Sequence, residues 1–185
     1  MPDRYTYVTV VCEDTQQSCF MYRFLTAKGL KPHRLIMRPC PTARGGDAKQ
    51  FVRRNHVAEV RAMRAKPHLL AGVITIIDAD DSTVGARKDE LNDALVAEGQ
   101  DRRQADERIA VAVPRREIET WIHSLQGRPV DEETRYPRFR GDERQCAPAA
   151  SEFARKCPSD MQEDDLPSLK DACKELDAFL KKAAR

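Results

Sequence analysis

The sequence predicts an α/β fold: a Rossmann-like, four-stranded, mainly parallel sheet with helices on both faces and a C-terminal helical extension. Three observations carry this. Short β-rich runs alternate with longer helical patterns four times, which is the pattern of a parallel sheet with crossover helices. The run Gly72-Val-Ile-Thr-Ile-Ile77 is apolar throughout, as expected of a strand covered on both faces. It stops abruptly at Asp78-Ala79-Asp80-Asp81, three carboxylates in four residues.

Residues 5–12 are β-branched and aromatic and form the first expected strand, closed by Glu13-Asp14. Residues 16–28 place Cys19, Phe20, Phe24 and Ala27 at helical spacing before Gly29. Residues 32–37 make a second strand, followed by a loop with Pro39, Pro41, Gly45 and Gly46. Asp47 suits the N-cap of a helix reaching Lys66. On that helix Lys49, Arg53, Arg54, Arg61 and Arg64 share an arc of about 140°, with Phe51, Val52, Ala58, Ala62 and Met63 opposite. After the third strand, Asp81, Ser82 or Thr83 can cap a helix over 84–98, with Leu91, Ala94 and Leu95 inward. A charged connector, 101–107, leads to a fourth strand at 108–113. Pro114 fits the first turn of a helix over 115–125 that buries Ile118, Trp121, Ile122 and Leu125. Residues 127–167 read as loop with a short helix at 147–156. A last helix from Pro167-Ser168 carries Leu169, Ala172, Cys173, Leu176, Phe179 and Leu180 on one stripe. The organisation is thus an α/β domain over 1–126 and an extension over 127–185 packed on it.

A net charge of +2 does not announce a nucleic-acid partner, but the distribution is uneven. Between Arg38 and Lys66 eight Lys/Arg face two acids, Asp47 and Glu59. The segment is either a solvated helix face or a surface for phosphates, with Arg44 in the glycine loop beside it. No apolar run approaches the ~20 residues of a membrane span, and no signal-peptide core opens the chain. Six cysteines without a C-x-x-C pair predict reduced thiols in a cytoplasm. A zinc site from Cys146, Cys157, Cys173 and a histidine lacks ligand spacing. His33, His56, His68 and His123 are isolated and read as surface or satisfied core, and Trp121 reads as a core anchor.

In an extended chain Asp78 and Asp80 point one way and Asp81 the other. Neighbouring carboxylates repel unless a cation lies between them, and hard oxygen ligands suit Mg²⁺ or Mn²⁺. The alternative is an acidic turn capping the next helix. In a flavodoxin-like strand order 2-1-3-4, strands one and three meet at the switch point where ligands bind. That order sets Glu13-Asp14 beside Asp78, Asp80 and Asp81. It also brings Arg44 and either Glu117 or Glu119 to the same edge, these two glutamates standing about 200° apart on their helix.

A strand ending in Glu, followed by a later strand ending in Asp-x-Asp in a Rossmann-like unit, resembles the Toprim domain of topoisomerases, DnaG-type primases, recombination factors and OLD-type nucleases. The resemblance covers residues 5–125. It implies a metal-dependent nuclease in which Glu13 is the general acid or base and Asp78 and Asp80 hold the metal, with Asp81 beside them. The chain departs from the pattern at Asp14, where the family usually has glycine. Val113-Pro-Arg-Arg-Glu117-Ile-Glu119-Thr-Trp121 is similar to a segment of small stand-alone bacterial Toprim-like proteins, in which the residue corresponding to Glu119 belongs to the site. Such proteins often accompany an ATPase in defence against phage. The resemblance therefore implies a nucleic-acid substrate, DNA ahead of RNA, and an ATPase partner; a homodimer is compatible with it.

Other classes fit less well. A topoisomerase needs a nucleophilic tyrosine in context, which Tyr5, Tyr7, Tyr22 and Tyr136 lack. A receiver domain needs Ser/Thr after strand four and Lys after a fifth strand, and a haloacid dehalogenase places Asp-x-Asp on its first strand. The main alternative is a non-catalytic binding subunit of the same kind of complex, with the acids structural.

Overall fold

Valine and threonine dominate Tyr7–Cys12, and β-branched side chains that crowd a helix fit a pleated strand. This run is β1 of the computed structural model, which describes residues 5–41, 46–139 and 146–182. Arg44, expected in the glycine loop, lies outside the described residues. The elements that follow are α1 (Thr15–Ala27), a 3-10 turn (Pro32–Arg34), β2 (Leu35–Pro39), α2 (Gly46–Arg64), β3 (Ala71–Ile76), α3 (Val84–Ala97), β4 (Ile109–Ala112), α4 (Ile118–Leu125), α5 (Ala147–Lys156) and α6 (Pro167–Lys182).

The four strands form one sheet in the order β2-β1-β3-β4, with all three pairings parallel. Tyr7 pairs with Ala71 and Ile76 with Ala112, so β1 and β3 run side by side at the centre. Every residue of β3 and β4 is buried, as their unbroken apolar sequence requires. One face of the sheet carries the larger core, where Phe20, Phe24, Trp121 and Phe153 interlock with ring centroids 4.9–6.2 Å apart. The other face packs on α2 and α3 through Val52, Val60, Leu91 and Leu95. No helix among the described residues is long and apolar enough to cross a membrane.

The described residues of the extension pack into the larger core, chiefly through α5 and α6. Trp121 Nε1 donates to Ser168 Oγ at 2.7 Å, and Tyr5 Oη donates to the Phe179 carbonyl at 2.7 Å. Tyr5 and Phe179 stack with centroids 4.8 Å apart. Gly72 makes room for that stack: a Cβ there would lie 2.6 Å from Phe179 Cζ.

Three expectations are corrected. Cys157 and Cys173 are not free thiols but a disulfide with Cα atoms 5.6 Å apart, because α5 and α6 bring together residues that sequence spacing does not relate. Helix α4 begins at Ile118, not after Pro114. An irregular, bent segment runs there instead, with Pro114 O accepting from Ala79 N at 2.8 Å and Arg116 O from Asp80 N at 3.1 Å. The buried stripe of α2 is Ala48, Val52, His56, Val57, Val60 and Met63, while Ala58 and Ala62 are exposed. His56, in contrast, is the satisfied core histidine that was expected: it is buried and shares a 2.8 Å hydrogen bond with Thr75, and burial pushes its pKa down to about 4.

The basic face of α2 is compensated in space. Arg53 pairs with Glu90 at 2.6 Å, Arg61 with Glu98 at 3.5 Å, and Arg38 with Glu59 at 2.7 Å. Arg64 takes both oxygens of Glu107, at 2.6 and 2.8 Å. The acids on α3 and its connector are distant in sequence and adjacent in space.

Candidate active site at the carboxyl edge of the sheet

The ends of β1 and β3 open a cleft of about 210 Å³ lined by Glu13, Asp14, Ala48, Lys49, Asp78, Asp80, Arg135 and Arg138. It lies where the strand order reverses, the ligand position of open parallel sheets.

Glu13 follows β1 directly. Its Oε1 accepts the Asp78 backbone N–H at 2.5 Å, and its own N–H donates to Gln17 Oε1 at 2.9 Å. The two strand ends are therefore tied together by one carboxylate. Asp14 has an extended backbone, φ −151°, and its Oδ1 caps α1 by accepting from Gln17 N at 2.8 Å. An aspartate serves at this turn because no positive φ is needed and a cap is.

Asp78 is buried, and its Oδ1 has no hydrogen-bond partner; Gln17 Nε2 nearby is also without one. Burial pushes the Asp78 carboxyl well above the usual range, and the charges of Glu13, Asp14 and Glu119 push it further, against the pull of the Gln17 side-chain amide, which faces it without closing a hydrogen bond of normal geometry. Glu13 is raised by burial, against the opposing pull of Lys49 and the Asp78 N–H. Glu119, on the first turn of α4, is buried, and burial is the main cause that raises its pKa to about 7. Glu117 is the N-cap residue instead, and its carboxylate accepts from the Tyr136 N–H. Of the two glutamates, Glu119 is the one whose field reaches Asp78.

The simple alternation expected for Asp78, Asp80 and Asp81 does not hold, because β3 has ended and Asp80 takes φ +51°. Aspartate tolerates this left-handed conformation better than most residues. The turn aims Asp80 at Lys49, with which it forms an ion pair. Lys49, expected on the basic face, is thus a cleft residue. Asp81 lies outside the cleft: its side chain is 82% exposed and pairs with Arg116 at 2.5 Å and Arg135 at 3.3 Å. Those contacts hold its carboxyl below the usual range.

Arg135 and Arg138 were not legible as site residues. They come from the loop after α4, and the one trace in the sequence is the basic, aromatic stretch Arg135-Tyr-Pro-Arg138-Phe139. Arg115 and Arg116 support the floor, donating to the Asp80 carbonyl at 3.1 and 3.3 Å.

Fold and cleft define a class: a parallel α/β protein with buried carboxylates gathered at the switch point of its sheet. Comparison of the chain with protein-family models, with curated proteins and with solved structures found no match.

Proposed function

We propose that this chain is a Mg²⁺- or Mn²⁺-dependent nuclease of Toprim type, hydrolysing phosphodiesters of nucleic acid. The observation that carries the reading is Asp78, buried against Glu13 with an orphaned oxygen. Burying carboxylates together is costly unless protons or a cation relieve them. The donors are hard oxygens, the chemistry that Mg²⁺ and Mn²⁺ take.

Among the described residues no group of three or more ligands stands ready-made. Glu13 and Asp78 would hold the cation first, and Asp80 would join when Lys49 releases it. The bound cation supplies acidified water and stabilises developing negative charge. The protein supplies the rest. Lys49 neutralises Asp80, and Arg135 and Arg138 offer guanidinium donors to a phosphate. Glu119, raised by burial to about 7, can hold a proton at neutral pH within the field of Asp78.

DNA as the substrate ahead of RNA, an ATPase partner and a role in phage defence extend the same reading on the strength of the resemblance. A nucleic-acid substrate puts the working chain in the cytoplasm, where disulfides such as Cys157–Cys173 are rare. Alkylation of thiols during lysis, followed by mass analysis, measures how much of that bond exists in cells.

A second reading, a non-catalytic binding subunit, is favoured by one observation: Lys49 already satisfies Asp80 without a metal. Titration with Mn²⁺ separates the two. The nuclease reading expects a rise in melting temperature at millimolar Mn²⁺ that Asp78→Asn removes. No response in the native chain favours the subunit.

A further inference from the structure

Beside the acidic cleft lies a second cavity, of about 450 Å³, whose walls include His123, Arg128, Tyr136, Arg138 and Phe139. We propose that it receives the base of a nucleotide whose phosphate lies against Arg138, at the mouth of the acidic cleft. The inference rests on the nuclease reading for its context but on separate residues for its support.

Three observations point to that ligand. The walls are aromatic: His123 meets Phe139 with centroids 4.9 Å apart and Tyr136 edge-on at 5.6 Å. Stacking surfaces of this kind bind unpaired bases of any sequence, and arginine planes add to them. The charge is one-sided, with two arginines and no acid in the lining, so a flat ligand carrying an anion fits better than a neutral one. The volume lies in the ~300–1,000 Å³ range of small-molecule sites.

The cavity is also built as part of the cleft. Arg138 lines both, and its charge acts on Glu119. The eight-residue helix α4 holds the two sites in fixed relation. Its first turn carries Glu119 toward the acids, while its last turn carries His123 into the cavity. The loop bearing the other walls is fastened to α4 at both places: the Tyr136 N–H donates to Glu117, and Arg128 Nη1 lies 3.1 Å from His123 Nδ1. At its tip Asp131 N donates to Tyr136 Oη at 3.0 Å, which fixes the tyrosine ring. His123 is held below its usual pKa by burial and by Arg128, so the ring is a neutral wall.

The test is binding in metal-free buffer, so that it does not depend on catalysis. The probes are AMP, ribose 5-phosphate and a short single-stranded oligonucleotide, measured by calorimetry and by the imidazole resonances of His123. AMP is expected to bind and to shift those resonances. Ribose 5-phosphate should bind at least about tenfold more weakly, the worth of one stacked base. Phe139→Leu, which keeps apolar bulk but removes the π face, should weaken AMP by a similar factor. The exposed Arg138→Gln should weaken AMP and ribose 5-phosphate alike. Tighter binding of the oligonucleotide identifies a strand as the natural ligand, and AMP alone identifies a free nucleotide; both uphold the base subsite. Equal binding of AMP and ribose 5-phosphate, binding indifferent to both substitutions, or no AMP binding overturns it. Base-dependent binding without metal-dependent cleavage overturns the nuclease reading alone. Cleavage without base-dependent binding overturns the subsite alone.

Discussion

The acidic cleft and the basic face of α2 look like mirror images in the sequence and behave oppositely in the structure. Both are dense in one sign of charge. On α2 each of Arg53, Arg61 and Arg64 meets a carboxylate from α3 or its connector, so the run of bases is largely neutralised. At the cleft, Glu13 and Asp78 crowd each other under burial within the field of Glu119, and although Lys49, Arg135 and Arg138 line the same cleft, none of them pairs with Asp78. A charge run therefore says little about a surface until its neighbours in space are known. A carboxylate cluster with an orphaned oxygen says more, because it stores a cost that a ligand can relieve.

The sharpest way to break this contrast is to remove a cleft charge. On the proposed nuclease reading, Asp78→Asn and Glu13→Gln are each expected to lower metal-dependent cleavage by about a thousandfold or more, since metal activation and electrostatic stabilisation each supply several kcal/mol. The assay is run both with the chain alone and with the ATPase partner that the proposed function implies. Cleavage that survives both changes places the chemistry elsewhere.

The next effect is on stability against pH. The Glu119 pKa rises from 4.5 in an unfolded chain to about 7 in the folded one. Between those values the folded state holds the proton that the unfolded state has lost, so stability falls as pH rises through this window. The loss attributable to Glu119 is about 3 kcal/mol by pH 8 in metal-free buffer. Denaturation of Glu119→Gln across pH 4–8 should show this slope flattened. His56 acts with the opposite sign: its pKa falls from 6.5 to about 4, so it removes stability as pH drops below 6.5. An unchanged slope between pH 5 and 7 in Glu119→Gln would mean that the glutamate is not buried as described.

On the compensated side effects are smaller. Arg64→Ala breaks a two-pronged pair with Glu107 that is only partly exposed, and should cost about 1 kcal/mol in urea unfolding. Arg61→Ala should stay within about 0.5 kcal/mol, as surface changes do. In nucleic-acid binding, Arg135→Gln with Arg138→Gln should reduce the salt slope by roughly one to two, the full count being reached only if a phosphate displaces Asp81 from Arg135. The triple change of Arg53, Arg61 and Arg64 to Gln should reduce it by less than one, because a phosphate must first displace Glu90, Glu98 or Glu107. A larger slope change for the triple variant would restore α2 as the nucleic-acid face.

What could be read in advance follows from which forces act locally. The strands, their order and helix α5 were legible because apolar periodicity and turn residues are local signals. Glu13 and Asp78 were legible as neighbours because the flavodoxin-like order expected of the sheet, which the structure has, sets β1 beside β3. The start of α4 was not, since Pro114 and Arg116 find backbone partners on Ala79 and Asp80 instead of starting a helix. Asp80's direction depended on a single left-handed residue, which the strand-like spacing concealed. The Arg64–Glu107 pair spans 43 residues and the Cys157–Cys173 bond joins two helices; neither leaves a mark in its own neighbourhood. Arg135 and Arg138 sat in a loop whose path is set by α4 and Glu117, so their role appeared only with the fold.

The Tyr5–Phe179 stack has a consequence for synthesis. Tyr5 precedes the first strand, and the ring that covers it belongs to α6, 174 residues later. Domains tend to fold from the N-terminus as they leave the ribosome. Here β1, β3 and their carboxylates emerge long before the helix that covers their sheet, so the large core stays open to water until Phe179 is out of the tunnel. The amino ends of β1 and β3 are therefore closed last, whereas every residue that lines the cleft, up to Arg138, has been made before α6.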